Sequence, residues 1–119
     1  MDRAALLTLS CRHLEQAASQ EEVAAALSVL TDWKIDGGQL VRTFGFRDYH
    51  QTLAFVNAMA EIIHREDHHP ELVIGYNRCT VRYHTHSVNA GKGGLSENDF
   101  ICAAKIDELF DRAFRSAAG

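Results

Sequence analysis

The chain has 119 residues, of which 16 are acidic and 12 are lysine or arginine, giving a net charge of −4. This length suits one domain with a hydrophobic core of its own, and the negative charge argues against direct binding to nucleic-acid phosphates. No segment approaches the ~20 consecutive apolar residues of a membrane-spanning helix, so we expect no membrane role.

The cysteines indicate the cellular compartment. Cys11, Cys79 and Cys102 are odd in number and widely spaced, without a CxxC pair, which is typical of reduced thiols. The apolar run from Ala4 to Leu9 is too short and too interrupted for a signal peptide. We therefore expect a cytoplasmic protein.

The N-terminal residues 1–19 are weakly helical, and we treat them as an extension without an assigned function. A single domain is predicted over 20–119. Ser19, followed by acidic residues, is an N-cap signal for a helix that reaches about Val29.

A β-hairpin is predicted next. Trp33-Lys34-Ile35 alternates apolar and polar residues, and Asp36-Gly37-Gly38 is a turn signal because glycine accepts positive φ. The second strand has one face formed by Leu40, Arg42, Phe44 and Phe46.

A long helix is predicted over 47–66, and its apolar stripe is expected to pack on a sheet. The stripe is formed by Tyr49, Leu53, Val56, Ala60 and Ile63, with Thr52, Phe55, Met59 and Ile62 beside them. Pro70 cannot continue the helix and favours an extended His69, which places His68 and His69 just past the helix end.

A second hairpin is predicted from Leu72–Tyr76 and Cys79–His86, with Asn77-Arg78 as its turn. On the latter strand, His84 and His86 share a face because side chains alternate along a strand.

A glycine-rich loop covers Asn89–Gly94 and precedes the last helix. Ser96 to Asp99 is an S-x-x-D capping pattern that begins this helix. Its buried stripe is predicted to consist of Ala103, Ile106, Phe110 and Ala113.

The predicted order is α-β-β-α-β-β-α. It indicates an α+β fold in which a four-stranded antiparallel sheet carries helices on one face. The edge strands of such a sheet are open to pairing with another subunit.

The histidines are the strongest signal for function. Five of the seven lie between His64 and His86, and an imidazole exchanges protons near neutral pH. Their clustering near a helix–strand junction suggests proton-transfer chemistry or a metal site.

The spacing of the histidines resembles the pterin-4a-carbinolamine dehydratase family, also known as the dimerisation cofactor of a homeodomain transcription factor. The similarity runs from about Glu21 to Phe110. It rests on Trp33, Phe46-Arg47-Asp48-Tyr49, His68-His69-Pro70-Glu71, Tyr76-Asn77, Thr85-His86, and Gly94-Leu95-Ser96 with Asp99.

The resemblance implies an enzyme that removes water from 4a-hydroxytetrahydropterins to give quinonoid dihydropterin. Such a reaction recycles the cofactor of aromatic amino-acid hydroxylases and needs neither a metal nor an organic cofactor. A homodimer or homotetramer is also implied. The chemistry fits the residues, because one imidazole can protonate the departing hydroxyl while another removes a proton from the ring system.

The site residues also come from the resemblance. His68 and His86 are predicted to be the catalytic acid/base pair, without an assignment of which is the acid, and His69 is predicted to bind and orient the pterin. Asp99 is expected either to orient a histidine or to act only as a favourable acid in the first turn of a helix.

Pro70 is predicted to fix the loop that carries the histidines. Trp33 is expected either to shape the pocket or to belong to the core, and Tyr76 either to belong to the site or to pack. Two departures from the family pattern concern His64, where relatives often have Glu, and Asn89–Gly94, which is longer here and adjoins the presumed site. They leave the identity of the pterin open.

Two other functions remain open. His84-x-His86 on a strand, with His68 or His69, suits a zinc site, although adjacent histidines diverge and no HExxH motif is present. Alternatively, the chain is a pterin-binding or transcription-factor-dimerising protein with weak or no dehydratase activity.

Overall fold

A computed structural model describes residues 1–117. Residues 118 and 119, the end of the predicted domain 20–119, lie outside the described part. The elements are α1 (Arg3–Leu7), α2 (Gln20–Val29), β1 (Lys34–Asp36), β2 (Gln39–Gly45), α3 (Tyr49–Glu66), β3 (Glu71–Ile74), β4 (Arg78–Tyr83), α4 (Glu97–Ala113) and a 3₁₀ turn (Arg115–Ala117). The predicted order is therefore confirmed, with a short helix in the N-terminal segment.

The four strands form one antiparallel sheet in the order β1-β2-β4-β3. The two hairpins join in the centre, where β2 and β4 pair from Leu40 opposite Tyr83 to Gly45 opposite Arg78. This arrangement places β1 and β3 at the edges and confirms the predicted α+β class.

The helices cover one face of the sheet. On that face Phe44 and Val81 are buried, whereas Thr43 and Thr80 lie on the opposite face and share a hydrogen bond of 2.8 Å. The central core residues of the two strands and of α3 are Leu40, Phe44, Cys79, Val81, Tyr83, Phe55, Met59 and Ile62.

The buried face of α3 differs in part from the predicted stripe. Tyr49, Leu53 and Ala60 are exposed, and the residues expected beside them form the buried face. The apolar sector of this helix is wider than the area that the sheet and α4 cover, so periodicity alone could not fix its centre.

The second hairpin also differs at its ends. The first strand stops at Ile74 rather than Tyr76, and Arg78 already belongs to β4. The Gly75 amide donates to the Arg78 carbonyl at 2.8 Å, which closes the turn over residues 75–77. β4 ends at Tyr83, so the predicted extension of the strand to His86 was wrong.

The last helix begins as predicted. Ser96 and Asp99 form a reciprocal capping box. The predicted stripe is wrong only at Ala113, which is exposed; Phe114 continues the apolar face instead, with its ring centroid 5.4 Å from that of Phe55.

The N-terminal segment packs on this domain through α1. Leu6 is buried, and a terminal guanidinium nitrogen of Arg3 lies 2.7 Å from a carboxylate oxygen of Asp111 on α4. No helix within residues 1–117 is both long and apolar enough to cross a membrane.

Candidate active site

His68 and Asp99 form the centre of a buried hydrogen-bond network. The two side chains meet at 2.7 Å between Nε2 and Oδ1. The other carboxylate oxygen, Oδ2, accepts from the Thr85 hydroxyl at 3.0 Å and from the Ser96 amide at 2.9 Å. Because a carboxylate only accepts, Nε2 of His68 carries a proton in this arrangement.

Tyr83 contacts both the backbone and the imidazole ring of His68. Its hydroxyl donates to the His68 carbonyl oxygen at 3.0 Å, and its ring stacks on the imidazole with centroids 5.1 Å apart. His68 is therefore fixed both by its backbone and by its ring.

The charge state of His68 follows from two opposed effects. Burial alone would lower the pKa of this imidazole, but the hydrogen bond and the negative charge of Asp99 outweigh burial and raise it. His68 is thereby kept protonated to a higher pH than an unperturbed histidine.

His84 and His86 lie side by side although neither belongs to β4. Their ring centroids are 4.3 Å apart, and Nδ1 of His84 is 3.1 Å from the Gln39 side-chain nitrogen. Thr85 between them makes an isolated antiparallel bridge with Gly94. The two imidazoles are therefore adjacent, although this stretch lies past the strand on which the sequence placed them.

The bend that carries His68 and His69 begins at Asp67. Asp67 has left-handed φ and ψ of 50° and 42° and ends α3, so the helix stops before Pro70 can block it. His69 is exposed, with Nε2 3.9 Å from an Asp67 carboxylate oxygen, and Pro70 is half-buried.

These histidines open onto one cleft of about 540 Å³. Its walls come from the N-terminal segment, the end of α3, the stretch after β4 and the start of α4. The lining residues are Cys11, Arg12, His13, Glu66, Asp67, His68, His69, His84, Thr85, His86, Ser87 and Asn98.

The N-terminal wall is held by side chains of α3 and α4. The Cys11 amide donates to Glu66 Oε1 at 2.9 Å, and Asn98 bonds both the amide and the carbonyl of Arg12, at 3.2 and 2.5 Å. Lys105 bonds the other oxygen of Glu66 at 2.7 Å. Burial raises the pKa of the Glu66 carboxyl, but the hydrogen bonds from Lys105 and from the Cys11 amide outweigh burial and lower that pKa.

Comparison with known proteins identifies the family of this chain. The model of the family described as pterin 4 alpha carbinolamine dehydratase matches residues 16–109. The chain belongs to this family. The match includes each of the predicted site residues.

Individual relatives support the assignment. A protein of Bdellovibrio bacteriovorus, provisionally named a pterin-4-alpha-carbinolamine dehydratase, is 53% identical over 96% of this chain and 95% of its own. A Nitrosospira multiformis protein with the same provisional name is 52% identical over 88% of this chain and 92% of its own. The crystal structure of a transcriptional coactivator/pterin dehydratase from Brucella melitensis matches with a TM-score of 0.71 and 31% identity, covering 79% of this chain and 98% of that one.

Trp33 is a predicted site residue that the structure places apart from the cleft. It is buried, and its indole nitrogen donates to Asp107 at 2.8 Å. Arg42 donates to the same carboxylate oxygen at 2.6 Å. Trp33 thus occupies the core position that the sequence left open as an alternative.

Two further segments of the family pattern also lie away from the lining residues. Tyr76 is exposed and stacks on Tyr49, with centroids 6.4 Å apart. The loop Asn89–Gly94 does not line the cleft, although a Cβ at Gly93 would lie 3.5 Å from the His84 ring.

The zinc alternative requires several ligands that converge on one point. Within residues 1–117, no group of three or more His, Cys, Asp or Glu residues is arranged to hold a metal ion. His84 and His86 lie together, whereas Nε2 of His68 points to Asp99.

The sequence interpretation gave no site role to seven residues that line the cleft: Cys11, Arg12, His13, Glu66, Asp67, Ser87 and Asn98. Residues 1–13 carry no motif and precede the matched family region, so nothing local in the sequence indicates that they reach the histidines. The one available signal is Glu66, a charged residue in the last turn of an otherwise apolar helix face, which needs a partner when it is buried.

Proposed function

We propose that the chain dehydrates a 4a-hydroxytetrahydropterin to quinonoid dihydropterin by histidine acid/base catalysis without a metal. The observation that carries the proposal is the convergence of His68, bound to buried Asp99, with His69 and His86 on one cleft. Family membership supports the substrate class.

The reaction needs a proton donor and a proton acceptor. The C4a–O bond breaks as the oxygen takes a proton and leaves as water, and a base removes one proton from the ring system. The raised pKa of His68 favours it as the donor, which leaves His86 as the acceptor. Because Nε2 of His68 is engaged by Asp99, Nδ1 is the nitrogen free to exchange protons.

The supporting roles follow from position. Asp99 orients His68 and does not itself touch the substrate, because its carboxylate is fully buried and occupied by Thr85 and Ser96. His69 binds and orients the pterin from the exposed rim, and Pro70 stiffens the backbone that follows. We restrict the proposed site to these residues and leave Trp33 out, because it lies in the core.

In the cell, such a reaction would recycle the pterin cofactor of an aromatic amino-acid hydroxylase. A cytoplasmic location remains a prediction, in keeping with three cysteines that are all free. A homodimer or homotetramer also remains a prediction, supported by the open edge of β3, where Val73 and Ile74 are exposed.

A second candidate is an interaction protein that binds a transcription factor. The specific observation in its favour is the similarity to the Brucella melitensis protein, which is described as a transcriptional coactivator as well as a pterin dehydratase. The two functions are compatible, because a partner surface on the helices would leave the histidine cleft free.

The direct test is the double variant His68→Ala, His86→Ala. General acid–base catalysis contributes roughly 10²- to 10⁴-fold, so we expect the dehydration rate to fall by that order. The matched control is His50→Ala, since His50 is an exposed histidine on α3 that does not line the cleft. Full activity in a folded double variant would refute the mechanism, and retained partner binding in that variant would separate the two functions.

A further inference from the structure

Two of the three cysteines are in sulfur-to-sulfur contact beside the active site. Cys11 Sγ lies 3.5 Å from Cys102 Sγ, although the residues are 91 positions apart. Cys102 is fully buried in α4, whereas Cys11 lines the cleft and is partly exposed. The proposed dehydration uses neither thiol.

The geometry permits a bond between these sulfurs. A disulfide needs the sulfurs about 2.05 Å apart, so they must approach by about 1.5 Å. Cys11 lies between α1 and α2, outside any helix or strand, so the approach would come from this segment rather than from α4. Glu66 accepts from the Cys11 amide and Asn98 accepts from the Arg12 amide, and in this held position the Cys11 sulfur contacts Cys102.

The surroundings of Cys102 favour its reactive form. The hydrogen bond between the two sulfurs lowers the pKa of Cys102 and raises the pKa of Cys11; burial opposes the shift at Cys102, and the charge of His68 favours its thiolate. Thiolates, not thiols, react with peroxides. The partly exposed Cys11 lies in contact with the Cys102 sulfur and is the second thiol that can complete the bond.

We propose that Cys11 and Cys102 form a reversible disulfide when the protein meets a hydroperoxide. One thiolate attacks the peroxide, so that an S–O bond forms, the O–O bond breaks and an alcohol or water leaves. The second thiol then attacks the sulfenic sulfur, and the S–S bond forms as water leaves. The sulfurs lose two electrons in total and the peroxide gains them, and a dithiol reductant restores both thiols.

The disulfide would affect the active site in two ways, through the pKa of His68 and through the wall of the cleft. A Cys102 thiolate adds to the effect of Asp99 in raising the pKa of His68, and a disulfide sulfur carries no such charge. The Cys11 segment is also part of the cleft wall and is tied to Glu66, which precedes His68 by two residues. Oxidation should therefore lower the titration midpoint of His68. The consequence for turnover rests on the proposed function, but the disulfide does not.

The test is peptide mapping of the intact protein before and after treatment with hydrogen peroxide. We expect one cross-linked pair of peptides containing Cys11 and Cys102, a mass lower by two hydrogen atoms, and full reversal by dithiothreitol. Cys79→Ser is the matched control, because Cys79 is buried on β4 and its removal leaves the pair intact. Cys11→Ser and Cys102→Ser should each abolish the cross-link.

Proton NMR of His68 measures the coupling in the same samples without a turnover assay. The coupling predicts a lower His68 midpoint in the oxidised wild-type protein. In the Cys11→Ser variant, peroxide should leave the His68 midpoint unchanged. Free or irreversibly oxidised thiols without a Cys11–Cys102 cross-link would overturn the disulfide, and an unchanged midpoint in cross-linked protein would overturn the coupling. An inactive protein that still forms the cross-link would refute only the proposed dehydratase.

Discussion

Asp99 has two structural roles, and its two oxygens separate them. Oδ2 completes the capping box of α4, and Oδ1 holds His68. The sequence left open whether this residue is a helix-capping acid or a histidine partner. The structure contains both contacts, because Asp99 lies in the first turn of α4 and this turn contacts His68 in the bend after α3.

The variant Asp99→Asn tests the second contact. Because the folded pKa of His68 lies above its ordinary value of 6.5, protonation of His68 stabilises the fold. That contribution is fully present below about pH 6.5 and is lost as the pH rises through the folded pKa. We expect Asp99→Asn to lower the His68 midpoint and to shift the pH–rate profile accordingly.

Asp99→Asn should also cost stability at every pH. A buried hydrogen-bonded group that loses partners costs about 1–3 kcal/mol, and the loss should be larger below pH 6.5 than above it. The measurements are NMR titration of His68 and urea unfolding at several pH values. Asp67→Asn is the control, because this exposed carboxylate should move the midpoint by less. An unchanged His68 midpoint in Asp99→Asn would contradict the assigned role.

Among the elements, β1 and β3 are the two edge strands of the sheet, and β3 is the longer of them. It pairs with β4 on one side only and exposes 54% of Val73 and 41% of Ile74. Exposed edge strands pair readily with other chains unless a charge or proline blocks them. The predicted homo-oligomer therefore has a defined place to form.

The variant Val73→Lys tests this edge. A lysine on the exposed edge strand disfavours pairing, so we expect a shift from the oligomer towards the monomer in light scattering coupled to size-exclusion chromatography. Thr43→Lys is the control, because Thr43 is an exposed residue of the inner strand β2. A wild-type protein that is monomeric at all concentrations would contradict the prediction of an oligomer.

Local signals in the sequence were sufficient for most elements. Ser19 and Ser96 begin the helices that they were predicted to cap, and Gly37 and Gly38 have the positive φ values of the predicted turn. The position of helix α3 was predicted correctly, but its buried face was predicted wrongly in part. The apolar sector of the helix is wider than the area that the neighbouring elements cover. Strand propensity likewise led to the prediction that β4 extends to His86. In the structure the strand ends at Tyr83, and only an isolated bridge between Thr85 and Gly94 follows.

At the scale of the whole molecule, the cleft is assembled from distant parts of the chain. The histidines were predictable because they lie within one stretch whose spacing carries the family resemblance. The contribution of residues 11–13 was not, because it depends on long-range contacts of Glu66 and Asn98 rather than on a local pattern. Trp33 belongs to the resemblance but lies in the core, bonded to Asp107, which is one of the two positions that the sequence left open.

The activity proposed for this cleft is metal-independent dehydration. The most direct measurement is the dehydration rate of freshly generated 4a-hydroxytetrahydropterin with the purified protein, with and without a chelator. We predict an acceleration over the uncatalysed reaction that the chelator leaves unchanged. No acceleration by folded protein, or an acceleration that the chelator abolishes, would contradict metal-independent dehydration by this protein.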